Sequence, residues 1–131
     1  MKMKKILFVT LLSVLIMMPF SLSAQIATAK KDITGSWLGK LSADGTELRV
    51  VFNLKLIEKD SLVVTLDSPD QGAKDLPGGK VTLENKKLVI EAPDLNGEYI
   101  GTVVNDTTLE GTWTQNGGTY PLNLKKQIDK K

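Results

Sequence analysis

Thr46-Glu47-Leu48-Arg49-Val50-Val51-Phe52-Asn53-Leu54-Lys55-Leu56-Ile57-Glu58 is the stretch on which the fold turns. Side chains alternate across an extended chain, so Leu48, Val50, Phe52, Leu54 and Leu56 share one face, and Arg49, Val51, Asn53, Lys55 and Ile57 the other. Beyond the Lys59-Asp60 reversal, Leu62, Val64 and Leu66 repeat the phase of the apolar face. The two runs read as one long hairpin with an aliphatic side turned to a core.

Working outward, the same period of two returns at Val81 and Leu83, at Leu88 and Ile90, at Tyr99, Gly101 and Val103, at Leu109, Gly111 and Trp113, and at Tyr120, Leu122 and Leu124. Turn signals separate the runs at about ten-residue intervals. They are Asp44-Gly45, Lys59-Asp60, Asn85-Lys86-Lys87, Asn96-Gly97, Asn105-Asp106 and Asn116-Gly117-Gly118. Asn-Gly and Asp-Gly supply the positive φ that tight reversals need. No segment of the domain sustains a helical period.

The spacing predicts an all-β domain of about eight antiparallel strands, near 34–42, 46–58, 61–68, 79–84, 87–92, 97–104, 108–115 and 119–125. An even count in an up-and-down meander leaves the first and last strands antiparallel, so the sheet can close on itself. A closed or nearly closed small barrel is the favoured architecture, with an open β-sandwich as the alternative. Pro121 implies that the last strand is short or bulged where the ring closes. Gly35-Ser36-Trp37 in the first strand, echoed by Gly111-Thr112-Trp113 in the seventh, resembles the opening of lipocalin-like barrels; the plainer reading makes Trp37 and Trp113 core plugs beside glycines that relieve crowding.

The chain starts Met1-Lys2-Met3-Lys4-Lys5 and continues with an apolar run from Ile6 to Phe20 that leads into Ser21-Leu22-Ser23-Ala24. A charged start, a short apolar core and small residues at its end are a secretory signal layout, too short to span a bilayer. Residues 1–24 are read as the signal, 25–33 as an N-terminal extension, 34–126 as a single domain and 127–131 as a charged tail. Cleavage after Ala24 is expected, with Ser23 and Ala27 as the other cut points. A cysteine-free chain offers no lipobox, disulfide or thiolate ligand, so the expected product is periplasmic or secreted and not lipid-anchored.

Of 17 Lys and Arg, three lie in the signal, which leaves 14 against 15 Asp and Glu, and Arg49 is the sole arginine. That near-neutral balance lacks the footprint that phosphate backbones require, so nucleic acid is not an expected partner. With no His and no Cys, a Ser-His-Asp triad, a histidine general acid and the usual zinc sites are excluded. The sequence has no nucleophile elbow, phosphate loop or dinucleotide fingerprint. We expect no catalytic residues, no cofactor and no metal.

The one long connection, Ser68 to Gly79, is the segment most open to a functional role. Its acids Asp67, Asp70 and Asp75 lack the alternating ligands of a calcium loop. In a purely structural loop, Asp70 and Gln71 would bond their own backbone. As ligand or partner contacts the candidates are Asp70, Gln71 and Lys74, with Tyr99 and Trp113 on the strands.

Thr65-Leu-Asp-Ser-Pro-Asp-Gln-Gly-Ala-Lys-Asp-Leu-Pro77, followed by Leu109-Glu-Gly-Thr-Trp-Thr-Gln115 and Pro121-Leu-Asn-Leu124, resembles the β-rich N-terminal domain of secreted bacterial α/β-hydrolases. The similarity spans about residues 34 to 126. In those proteins the domain precedes a serine esterase or peptidase-like module; this chain ends at Gln127-Ile128-Asp129-Lys130-Lys131 instead. The resemblance implies fold, export and an accessory role, and transfers no catalytic residue. Three functions are therefore expected to compete: a binding domain for a small apolar molecule or a protein partner, an accessory domain associated with a secreted hydrolase, and a structural or interaction module without ligand.

Overall fold

A computed structural model describes residues 29–128. The expected signal segment and cut points, the first part of the expected extension and the end of the tail lie outside them. Ten antiparallel strands follow one another: β1 (Gly35–Ala43), β2 (Thr46–Ile57), β3 (Ser61–Ser68), β4 (Ala73–Pro77), β5 (Val81–Glu84), β6 (Lys87–Ala92), β7 (Gly97–Asn105), β8 (Thr108–Gln115), β9 (Gly118–Pro121) and β10 (Leu124–Lys126). They form one sheet in the order β4-β3-β2-β1-β10-β8-β7-β6-β5, with β9 also paired to β8.

That order dictates the shape. In a flat sheet the end strands β4 and β5 would stand about 38 Å apart, at about 4.8 Å per strand. Only Gly78, Gly79 and Lys80 join them, and the four steps from Pro77 to Val81 reach at most about 14 Å. The sheet must curl until its ends nearly meet. They are linked by consecutive amides: Gly78 N–H donates to the Val64 carbonyl of β3 at 3.1 Å, and Gly79 N–H to the Glu91 carbonyl of β6 at 2.7 Å. The result is the nearly closed barrel expected from the strand pattern.

The phase read from the sequence holds around the barrel. Phe52 and Leu54 of β2, Leu62, Val64 and Leu66 of β3, Leu88 and Ile90 of β6, Tyr99 of β7, Leu109 and Trp113 of β8 and Leu124 of β10 are all buried in one cluster. Lys40, Arg49 and Lys55 point outward to solvent. Among the described residues every buried side chain is aliphatic or aromatic, and none is charged. At Asp44-Gly45, Asn85-Lys86 and Asn116-Gly117 both residues take positive φ, as two-residue hairpin turns demand.

Two strand assignments are corrected. The connection from Ser68 to Gly79 is not a bare loop: a 3-10 turn, Pro69–Gln71, leads into β4, which pairs Leu76 with Leu66 and Pro77 with Thr65. Ala73-Lys74-Asp75-Leu76-Pro77 has no β-branched or aromatic residue and ends in proline, so its strand character comes from the β3 edge it covers. The single last strand expected over 119–125 is two, β9 and β10, interrupted at Leu122-Asn123 just after Pro121. Closure occurs beyond the break, where β10 pairs with β1 (Trp37 opposite Lys126, Gly39 opposite Leu124).

Candidate functional site

The hairpins alternate between the two ends of the barrel. One end carries the turns 44–45, Pro69–Gln71, Pro93–Leu95 and 116–117; the other carries Glu58–Asp60, 85–86, 106–107 and the N-terminal approach to β1. A cleft of about 770 Å³ opens at this second end. Its apolar wall is made by Ile33, Trp37, Val81, Leu83 and Val103, and its rim includes Lys30, Glu84, Lys86 and Asp106.

Residues 29–32 are helical and lead Ile33 into the barrel mouth, where it is 3% exposed. The buried Trp37 indole N–H donates to the Ile33 carbonyl at 2.9 Å. From outside, Lys30 Nζ donates to the Asp60 carbonyl and Lys126 Nζ to the Asp32 carbonyl, both at 3.0 Å. Lys126 also stands 5.6 Å from the centre of the Trp37 ring, within reach of a cation–π contact. The segment thus forms one side of the cleft while the β5–β6 and β7–β8 hairpins form the other. Volume, apolar wall and polar rim together match the ordinary anatomy of a small-molecule pocket.

The residues singled out in the sequence occupy other places. Asp70 and Gln71 lie in the 3-10 turn at the opposite end from the cleft. Neither carboxylate nor amide turns to its own backbone, as a plain loop would have had it. Asp70 instead accepts from the Arg49 amide (2.8 Å), from Nε (3.2 Å) and from Nη2 (2.7 Å). This pairing holds the Asp70 carboxyl below its ordinary value, the guanidinium hydrogen bond being the largest cause. Gln71 Oε1 accepts from Ser68 Oγ at 2.8 Å. Lys74 is exposed on β4. On the neighbouring outer face Ser36 donates to Asn53, and Asn53 to Thr65 and Asp67, a cross-strand chain that fixes the outside of β1 to β3.

Tyr99 and Trp113 are brought together as cross-strand partners, and both pack against Phe52, with ring centres 5.4 and 6.1 Å away. They sit in the core at 0% and 4% exposure and do not face the cleft. Burial pushes the Tyr99 hydroxyl up from its ordinary pKa, with the Glu110 charge adding to it.

Among the described residues no cluster of three or more His, Cys, Asp or Glu side chains is gathered for a metal. No helix among them is long and apolar enough to cross a membrane. The cleft residues are visible in the sequence as parts of the inward phase, Val81, Leu83 and Val103 on strands and Trp37 as a plug. What the pattern lacks is which end of the barrel stays unfilled. Ile33, placed in the extension, carries no strand signal.

The chain matches no protein-family model and no curated protein.

Proposed function

We propose that this protein is an exported, non-catalytic β-barrel domain that binds a small apolar molecule in the cleft at the mouth beside Ile33 and Trp37. The observation that carries the reading is the cleft itself: about 770 Å³ walled by Ile33, Trp37, Val81, Leu83 and Val103. Pockets for small ligands are of this size, mainly apolar, with a few polar groups at the rim. The export half of the reading rests on the lysine-rich start and apolar run of residues 1–24.

Titration with the fluorescent probe anilinonaphthalene sulfonate tests it. Saturable enhancement with one probe per chain is expected, reduced at least tenfold in affinity by Val81→Asp or Val103→Asp at the cleft wall. Non-saturable enhancement, or saturable binding that both variants leave unchanged, overturns the reading.

A further inference from the structure

We infer that Ile33 is the floor of the cleft and sets the length of the apolar group that the cleft accepts. The inference rests on the binding reading above and adds the feature that selects among ligands.

Three residues both line the cleft and belong to the buried cluster that fills the barrel: Ile33, Trp37 and Leu83. They mark where filled interior and open volume meet. Trp37 is paired with Phe52 and Lys126 in the sheet and donates the hydrogen bond that seats the N-terminal segment. Leu83 is paired with Leu88 in the β5–β6 hairpin. Altering either changes the walls as well as the depth. Ile33 stands outside the sheet, just before β1, and its backbone is fixed on both sides: its amide donates to the Ala29 carbonyl at 3.2 Å and its carbonyl accepts from the indole. Its side chain can therefore be shortened without removing any of these bonds. A truncated Ile33 opens depth toward the interior, and an alkyl chain reaching that depth gains the burial the missing carbons had supplied.

Calorimetric titration of the purified protein with a homologous series of straight-chain alcohols tests this. For the wild type, affinity should rise about fourfold per methylene up to a limiting length and then level off. Ile33→Ala should move that limit by about two carbons, the reach of the Cγ1 and Cδ1 it removes, and Ile33→Val by about one. Ile33→Val keeps the test open if the alanine variant does not fold. Identical length profiles in wild type and variants overturn the role of Ile33 while leaving the cleft as a binding site. If no alcohol binds the wild type, the binding reading falls and this inference falls with it.

Discussion

Gly111 lies against the hydroxyl of Tyr99: a Cβ built on the glycine would stand 2.8 Å from the tyrosine oxygen. A Cβ here would meet the Ile100 carbonyl and the Gly101 Cα first, so this glycine, two residues before Trp113 in sequence, lets β8 lie close against β7 as well as leaving room for Tyr99. The phenol also lies against Gly101, which is paired with Gly111 across the two strands. The oxygen so enclosed has no hydrogen-bond partner.

A buried hydroxyl without a partner forfeits its hydration and gains nothing in return, a loss of about 1–3 kcal/mol. Tyr99→Phe keeps the ring against Phe52 and removes the oxygen. The variant should be more stable than the wild type by about 1 kcal/mol in urea unfolding. A destabilised Tyr99→Phe would mean that a partner for the oxygen exists.

The same burial gives a pH dependence with a defined sign. The Tyr99 pKa is raised in the folded state above the ordinary value of 10.0, so at alkaline pH the unfolded chain ionises this phenol before the folded one does. Stability from keeping it neutral is full below about pH 10 and declines as pH rises past that point. Melting curves between neutral pH and about pH 11 should show a steeper alkaline loss for the wild type than for Tyr99→Phe. Parallel losses would sink the assignment.

Trp113 depends on a different glycine. A Cβ at Gly97, on β7, would overlap the six-membered ring of the indole, and Trp113 is hemmed in by Phe52 on another side. Gly97→Ala should destabilise the protein by about 3 kcal/mol, at the upper end of overpacking costs, whereas Gly45→Ala, with nothing within 4 Å but a φ of +78°, tests the backbone cost alone. Chemical denaturation of both variants measures the difference. Equal effects would show that strain at the turn, and not room for Trp113, governs the glycines.

How far the sequence can be read follows from where the signal lies. Alternation along β2 and β3 is a local pattern with eight apolar residues in phase, from Leu48 to Leu66, so the barrel and its inward face are legible in the residues themselves. β4 is not, because Ala73 to Pro77 becomes a strand only by lying along β3, a contact that no window of sequence contains. For the candidate site the residue types and the geometry point to different places. Asp70, Gln71 and Lys74 look available because they are polar and lie in a long connection; Asp70 and Gln71 are occupied by Arg49 and Ser68. The cleft instead uses ordinary aliphatic residues whose position at an unfilled end is a property of the closed barrel.

Asp70 has a structural consequence of its own. Its carboxylate joins the Pro69–Gln71 turn to β2 through both the side chain and the backbone amide of Arg49. Both groups face solvent, so salt screens the charge part. A carbon-detected titration should place the Asp70 carboxyl below the ordinary aspartate range and move it back upward with added salt. The depressed value means that the contribution of the pair is present above about pH 4 and fades as pH falls through the folded-state pKa. Asp70→Ala should speed hydrogen exchange at the Arg49 amide while leaving the cleft and its probe affinity unchanged. Loss of probe binding in this variant would move the binding site to the other end of the barrel.

The indole of Trp37 ties the cleft to the stability of the whole domain. Its N–H donates to the Ile33 carbonyl in surroundings where both residues are buried. Trp37→Phe keeps an aromatic plug but leaves that carbonyl without its donor and the mouth with less filling. Together these should cost about 3 kcal/mol of unfolding free energy. The effect should also be local. The Ile33 amide, which donates to Ala29 across the same turn, should lose its protection against hydrogen exchange, while amides of the β7–β8 ladder keep theirs at denaturant concentrations well below the unfolding midpoint. If Ile33 stays protected in Trp37→Phe, the segment is held chiefly by the lysine bonds from Lys30 and Lys126, and the corresponding loss of protection should appear in Lys126→Ala instead.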